Sequence, residues 1–177
     1  MENLHRIIFK DRWLQESFHR LLLEYEHVQG LIDAQMRLIK ELAGTDLYRE
    51  RVRLLRTVPG IRLLTAMEFL VELGDVKRFP TSRQLAAYVG LTPAQYSSGE
   101  HTRMGRITRT GKAYLRGMLI ESAWILVRKD PQIHAKYEQI KLRSGAKRAI
   151  VAIARRLLIR ARRVVVDGMP YRLGSAA

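Results

Sequence analysis

The feature that most constrains the fold is an uninterrupted amphipathic stretch from Asp11 to Ala43. Apolar residues recur there at steps of three and four, which places them on one face of an α-helix. They are Leu14, Phe18, Leu21, Leu22, Tyr25, Val28, Leu31, Ile32, Met36, Ile39 and Leu42. No proline interrupts the stretch, and Gly44 and Thr45 end it. It therefore predicts one helix on the order of 50 Å long.

A helix of this length cannot bury its apolar stripe by itself. It needs a partner helix, either from the same chain or from a second copy. The heptad register is not sustained, so the pattern predicts a coiled-coil-like helix rather than a regular coiled coil. The alternative is a long helix in an ordinary bundle.

The rest of the chain predicts an all-α fold, in which the long helix precedes a compact helical domain. Apolar periodicity and capping residues indicate helices over residues 46–56, 63–73, 83–89, 112–128, 131–142 and 146–166. Thr81 or Ser82 caps the third of these, and Gly90 ends it. Residues 91–111 have no periodicity, which indicates a long loop or a short hairpin. The tail after Gly168 is expected to be frayed.

Charge divides the chain into two unequal parts. Residues 1–75 carry a net charge of −1, whereas residues 76–177 carry +16. So basic a segment repels itself unless a polyanion neutralises it, which favours nucleic acid as the partner over an acidic protein or a membrane surface. No apolar run is long enough to span a membrane, and the N-terminus does not have the pattern of a signal peptide, so we expect a cytoplasmic protein. The chain has no cysteine, and its five histidines lack metal-ligand spacing.

A Pro-Gly turn between two predicted helices is the first candidate binding element. Thr57 to Ile61 reads TVPGI, and the arrangement resembles a helix-hairpin-helix motif, in which free amides and a helix N-terminus face a phosphate. Arg62 stands where that motif usually has a second glycine. The predicted DNA contacts here are Pro59, Gly60, Ile61 and Arg62. The alternative is a plain corner between two helices.

Two further basic segments are candidate phosphate contacts. The loop carries adjacent serines, Ser97 and Ser98, before a glycine, with arginines close by in the sequence. Arginines can stabilise the charge that develops when a hydroxyl attacks a phosphodiester. The last predicted helix interleaves apolar residues with a basic cluster, for which backbone contact with nucleic acid is the first interpretation and a membrane surface the alternative. The cluster comprises Lys141, Arg143, Lys147, Arg148, Arg155, Arg156, Arg160, Arg162 and Arg163.

The motifs, in their order along the chain, resemble the C-terminal domain of a family of insertion-sequence transposases. These enzymes combine a RuvC-like DEDD domain with a catalytic serine, and the pilin-gene DNA invertases are their relatives. The motifs are TVPGI with the following TA, Phe79, RQLAAYVGLTP, SSG, GRITRTG and YLRGMLIESA. The resemblance is close from Leu54 to Val127 and looser on either side. It implies a coiled-coil linker or dimerisation helix over residues 1–45, a serine-bearing domain over 46–130, and basic C-terminal helices over 131–177.

The resemblance also implies a mechanism. In the family, the serine before the glycine attacks a DNA phosphodiester and becomes covalently joined to it; by position this is Ser98, with Ser97 as the alternative. Arg103, Arg106, Arg109 and Arg116 would line the phosphate path, and we add Lys112, Lys147, Arg148, Arg155 and Arg156 as DNA contacts. Arg109 stands where the family usually has lysine, which keeps the charge. Some members are guided by a structured RNA, and the long helix would support a homodimer or higher oligomer.

The acidic residues of the DEDD domain are expected upstream of the long helix, where this chain has almost no sequence. We therefore expect a fragment or a truncated gene product that does not run the full reaction alone. We expect no metal or cofactor in this chain, and Mg²⁺ only in the other domain. Two alternatives stay open. One is a non-enzymatic helix-hairpin-helix module that binds DNA or RNA, and the other is an assembly element built on the long helix.

Overall fold

The computed structural model describes residues 4–98, 101–107 and 111–174, and for residues 93–98 and 101–107 it describes the backbone alone. The chain divides into two compact units, Met1–Leu42 and Ala43–Ala177. The described elements are seven α-helices, two short 3-10 helices and one antiparallel β-hairpin. The predicted helical fold, with a long first helix before a compact helical domain, is therefore confirmed.

The first unit is helix α1 with a short segment folded back along it. Helix α1 spans Arg12–Ala43, within one residue of the predicted bounds. His5 Nε2 lies 2.7 Å from Glu26 Oε1, and the rings of Phe9 and Phe18 meet edge to face at 5.3 Å. Phe18 and Glu26 flank Leu22 on one helix face, which explains why Leu22 is buried.

Most of the remaining apolar stripe of α1 is exposed. The side chains that are 43–65% exposed are Leu14, Leu21, Tyr25, Val28, Leu31, Ile32 and Leu42. They recur along the helix at the predicted steps of three and four. A regular exposed stripe of this length is unusual for a helix in water, because a surface helix normally turns its apolar face inward.

The second unit contains the other six helices, and their bounds agree closely with the sequence pattern. They are α2 (Arg49–Leu55), α3 (Leu63–Leu73), α4 (Ser82–Val89), α5 (Ala113–Lys129), α6 (Pro131–Ser144) and α7 (Ala146–Asp167). Helix α2 begins three residues later than predicted because residues 44–48 form turns. The 3-10 helix Val76–Arg78 follows α3. Thr81, one of the two predicted caps, forms a capping box with Gln84, and Gly90 ends α4 in the left-handed conformation.

Helix α7 is the central element of this unit. It packs against α2, α4, α5, α6 and the 3-10 helix Val76–Arg78. The apolar face predicted for it is buried, as Ile150, Ile153, Ala154, Leu157, Leu158, Ala161 and Val164. The last two helices therefore share a core with the preceding ones. The predicted boundary between the serine-bearing domain and the basic C-terminal helices, after residue 130, stays a prediction about function.

The segment between α4 and α5 contains the β-hairpin, which was the alternative to a long loop. Strand β1 spans Pro93–Ser98 and strand β2 spans His101–Ile107. They pair antiparallel, with Tyr96 opposite Arg103 and Ser98 opposite His101. The register shifts between Pro93 and Gln95, as at a β-bulge.

The C-terminal tail is fixed rather than frayed as far as Gly174, so that expectation was wrong. The Tyr171 backbone N–H donates to Thr57 Oγ1 at 2.8 Å, and the Tyr171 hydroxyl donates to Asp130 Oδ2. Asp130 is fully buried and also accepts bonds from the first amides of α6 and from Arg160. These bonds join the tail to the turn after α2 and to the start of α6.

The polar cluster around Asp130 shifts the pKa values of Asp130 and Tyr171. Burial alone would raise the pKa of the Asp130 carboxyl, but the bonds from Tyr171, Ile133 and Gly174 and the charge of Arg160 lower it. Burial and the bond to Asp130 raise the pKa of Tyr171 to about 12. The carboxylate is thus held ionised and the phenol neutral, which keeps the hydrogen bonds of the tail intact at neutral pH.

The Pro-Gly turn is pressed against α5. Gly60 has φ +92°, and a Cβ atom placed on it would lie 2.4 Å from the backbone oxygen of Ser122. Val58 and Ile61 on either side are buried. Glycine is required here for two independent reasons: the left-handed backbone and the close approach of the α5 backbone.

We predict that Gly60→Ala lowers the free energy of unfolding by more than about 2 kcal/mol, because it adds left-handed strain and overpacking. Gly117→Ala is the matched control, since Gly117 lies in α5 and a Cβ there would meet nothing within 4 Å. The control should be neutral or stabilise by up to about 1 kcal/mol. Urea unfolding of both variants measures the difference. A Gly60→Ala protein within about 0.5 kcal/mol of the parent would contradict this account of the turn.

Candidate nucleic-acid interface

The solvent-facing half of α7 carries a row of basic residues. Four basic residues of α7 lie outside its buried core, namely Lys147, Arg148, Arg155 and Arg156, of which the first two are exposed and the last two half-buried. Among the described residues, none of these four side chains has a hydrogen-bond or ion-pair partner. A positive surface whose charges are not used within the fold is available to a polyanion.

Two other arginines of the predicted cluster have structural roles instead. Arg160 is 7% exposed and lies against Asp130 and Tyr171. Arg162 donates to the Phe79 carbonyl at 2.9 Å and to the Val76 carbonyl at 3.3 Å. The assignment of Arg160 to DNA contact is therefore corrected, because this side chain is buried against Asp130 and Tyr171. Arg162 is half-buried on the same helix face as Arg155, and its N–H groups bind the carbonyls of the loop after α3.

Two more residues of the cluster have local partners. Arg163 pairs with Asp167 at 3.1 Å and Lys141 pairs with Glu138 at 3.0 Å. Both pairs are on the surface, where an ion pair contributes little and exchanges easily. They do not prevent contact with a phosphate.

Of the four DNA contacts predicted at the Pro-Gly turn, Arg62 is the one that is exposed. Pro59 and Gly60 are half-buried, Ile61 is buried, and Arg62 is exposed. Arg62 precedes α3, whose N-terminus has no side-chain cap. The close packing of Gly60 on α5 already requires a glycine at this position, without any bound phosphate. A plain corner between two helices would have the same requirement. An anion at this turn could contact the Arg62 side chain and the uncapped backbone amides at the start of α3.

The base of the hairpin is anchored to the helices at three points. Gly111 has φ +112°, and a Cβ there would lie 2.7 Å from the Tyr88 carbonyl oxygen and 2.9 Å from the Gly90 nitrogen. Lys112 Nζ lies 2.8 Å from Glu72 Oε1. Arg116 donates to the Val89 carbonyl at 3.1 Å. The start of α5 is therefore fixed against the ends of α3 and α4.

Two predicted DNA contacts, Lys112 and Arg116, thus have partners inside the protein. The hydrogen bond from Lys112 lowers the pKa of Glu72, and the same bond raises the pKa of Lys112. The Tyr88 hydroxyl also donates to Glu72 Oε1, at 3.1 Å. Lys112 stays charged and is partly exposed, so it can anchor the hairpin base and still face an anion.

The serines lie on strand β1 at neighbouring register positions, which fall on opposite faces of a two-stranded ribbon. Ser98 is opposite His101, and Tyr96, on the same face, is opposite Arg103. Ser97 is opposite Thr102, and Gln95 is opposite Met104. The Ser98 face thus contains a histidine and an arginine position. Arg106 lies on β2, and Arg109 lies outside the described residues.

The acidic residues near the hairpin base do not form a metal cluster. Glu72 is bound by Lys112, and Asp75 Oδ1 accepts the Lys77 amide at 2.9 Å. Burial and the charge of Glu72 raise the pKa of Glu68. Within the described ranges, no three His, Asp or Glu side chains are placed to hold a metal ion. None of the described helices combines the length and apolar character that a membrane span requires.

Sequence reasoning missed one residue at this surface, Arg78. Its guanidinium lies 4.7 Å from the Phe79 ring centre and 5.0 Å from that of Tyr88. The Arg-Phe pair is visible in the sequence, but the contact with Tyr88 depends on how α4 packs. Trp124 of α5 is 38% exposed and packs edge-on against Tyr137.

Comparison with known proteins shows what this domain is similar to. Residues 52–138 match the model of the Transposase IS116/IS110/IS902 family. A putative transposase of Sinorhizobium fredii is 34% identical over 64% of this chain and 28% of its own length. The transposase for insertion sequence element IS1111A of Coxiella burnetii is 34% identical over 65% of this chain and 33% of its own length.

The pilin gene-inverting protein of Moraxella lacunata is 32% identical over 96% of this chain and 56% of its own length. The chain thus spans less than two thirds of each of these three relatives. The matched residues include the end of α2, all of α3, α4, the hairpin and α5, together with the Pro-Gly turn and the two serines. Residues 52–138 of this chain are therefore similar to the Transposase IS116/IS110/IS902 family.

Proposed function

We propose that this chain is the DNA-binding, serine-bearing part of an insertion-sequence transposase or site-specific DNA recombinase. The observation that carries the proposal is the basic half of α7, whose Arg148, Arg155 and Arg156 have no partner among the described residues. These arginines are held in register because the opposite face of α7 is buried in the core. A rigid row of unpaired cations suits the phosphate backbone of DNA.

Ser98 is the nucleophile in this proposal. Its oxygen forms a bond to the attacked phosphorus, the serine proton is lost, and the bond from phosphorus to one neighbouring sugar oxygen breaks. The departing sugar oxygen takes up a proton, so the phosphodiester is exchanged rather than hydrolysed. Ser98 is favoured over Ser97 because the arginine position Arg103 and the histidine position His101 lie on the Ser98 face of the hairpin. A positive field there would stabilise the developing charge.

The proposed nucleophile depends on a second domain for assistance. By the family resemblance, acidic residues that bind a divalent metal contribute to the reaction and belong to that other domain. The described residues of this chain position the DNA strand and the serine. The proposal therefore assigns to this chain binding and nucleophilic attack, and it places both in the cytoplasm.

Self-association through α1 completes the proposal. Most of the apolar stripe between Leu14 and Leu42 is exposed, except for buried Leu22, and a second copy offers the same stripe in return. Two such helices can bury each other's apolar faces. A structured guide RNA is a further partner in this proposal, because the same basic residues would bind its phosphates.

We predict that replacing Arg148, Arg155 and Arg156 by glutamine weakens duplex DNA binding and flattens its salt dependence. If each arginine neutralises one phosphate, the slope of log affinity against log salt should fall by about 2.7. The matched control replaces Arg128, Lys129 and Lys136, which removes three charges at α5 and α6. Titrations across a salt series, with linear duplex, branched DNA and structured RNA, measure both variants.

Equal losses in the two triple variants would show that total charge matters and the α7 face does not. A parent protein that fails to bind any of these nucleic acids at low salt would end the proposal. A preference for branched DNA or structured RNA would favour the recombinase over a general binding module.

We predict that Ser98→Ala abolishes the covalent protein–DNA adduct formed when the acidic domain is supplied, and leaves DNA affinity within about twofold, because a neutral serine contributes little to phosphate binding. Ser97→Ala, one residue away on the opposite face, is the control and should retain the adduct. Denaturing gel electrophoresis of labelled DNA detects the adduct. An adduct that persists in Ser98→Ala and is lost in Ser97→Ala would reassign the nucleophile.

A further inference from the structure

Arg78 lies on a loop whose backbone is held from both sides. Arg162 of α7 donates to the Phe79 carbonyl at 2.9 Å and to the Val76 carbonyl at 3.3 Å. Asp75 caps the 3-10 helix Val76–Arg78 by accepting the Lys77 amide. Phe79 itself is buried. The main chain at Arg78 therefore has little freedom, although its side chain is exposed.

The side chain of Arg78 is also held in place. Its guanidinium lies over two aromatic rings, 4.7 Å from the centre of Phe79 and 5.0 Å from the centre of Tyr88. Stacking fixes the plane of a guanidinium and leaves the N–H groups at its edge directed away from the rings. Among the described residues no acceptor binds these N–H groups. The nearby Glu72 carboxylate is already bound by Lys112 and by the Tyr88 hydroxyl.

A second cation shares one of these rings. Lys112 Nζ lies 5.4 Å from the Tyr88 ring centre, and Lys112 follows Gly111, which rests on the backbone of Tyr88 and Gly90. Arg78 and Lys112 therefore both lie beside Tyr88, near the end of α4 from which the chain continues into strand β1. An arginine that only shielded Phe79 from water would need neither the second ring nor a second cation beside it.

We propose that Arg78, together with Lys112, binds a backbone phosphate of DNA at the base of the hairpin. The proposal rests on the function proposed above and extends it: the phosphate held here belongs to the strand that Ser98 attacks. Strand β1 has six residues, or roughly 20 Å, and DNA advances 3.4 Å per nucleotide. The bound phosphate then lies within about six nucleotides of the attacked phosphodiester. Because the guanidinium is already ordered, binding loses little side-chain entropy.

The experiment compares duplex DNA binding by the parent chain with Arg78→Gln, Arg78→Lys and Lys77→Gln across a salt series. We expect Arg78→Gln to weaken binding roughly five- to tenfold at 100 mM salt and to lower the salt slope by about 0.9, as for one lost phosphate. Arg78→Lys should keep the salt slope but not regain the full affinity, because lysine lacks the stacked planar fork. Lys77→Gln removes the same charge from the neighbouring residue and should weaken binding less than twofold.

Equal effects of Arg78→Gln and Lys77→Gln would overturn the site, and so would full recovery in Arg78→Lys. A parent chain that binds no DNA would instead end the underlying function proposal, so the two failures are distinguishable. If Arg78→Gln unfolds, NMR of the parent protein serves in its place, with the Arg78 Nε–H signal assigned from the Arg78→Lys spectrum. That signal should shift on adding a short duplex, and an unchanged signal at saturating DNA would overturn the site.

Discussion

The burial of one face of α7 is the constraint on which the rest of the second unit depends. Helices α2, α4, α5 and α6 all pack against it, and the buried leucines and isoleucines fix its rotation about its own axis. That rotation decides what each of its arginines can do. Arg160 faces Asp130 in the interior, Arg162 reaches the carbonyls of the loop after α3, and Arg155 and Arg156 face outward. One helix thus supplies both the core and the basic surface.

Two close backbone contacts then position the elements proposed to act on DNA. Gly60 brings the Pro-Gly turn against α5, and Gly111 brings the base of the hairpin against the end of α4. Tyr171 ties the tail to that same turn through Thr57. The hairpin base, Arg62 and the basic face of α7 all belong to the second unit. In the proposed function, the exposed stripe of α1 pairs with a second copy of the chain.

Periodicity and capping residues were enough to predict most of the helices from the sequence. The apolar residues of α7 follow the helical repeat closely, and Thr81, Gly90 and the Asp130-Pro131 pair mark helix ends. The roles of single arginines were less predictable, because the local sequence does not separate Arg160 from Arg156 and the aspartate that Arg160 faces is 30 residues away. The order of the tail was not predicted for the same reason, because Thr57, which accepts the Tyr171 N–H, is 114 residues away in the sequence. Arg78 was missed because its second ring, Tyr88, comes from another helix.

The most direct test of the central claim is an arginine footprint of the intact chain with and without duplex DNA. Arginines are modified with phenylglyoxal, and the modified sites are quantified by mass spectrometry. The account predicts that DNA protects Arg148, Arg155 and Arg156, leaves Arg128 reactive, and does not change Arg160, which is buried in both states. Protection of Arg128 with continued reactivity at Arg155 and Arg156 would contradict it and move the DNA to another face of the protein.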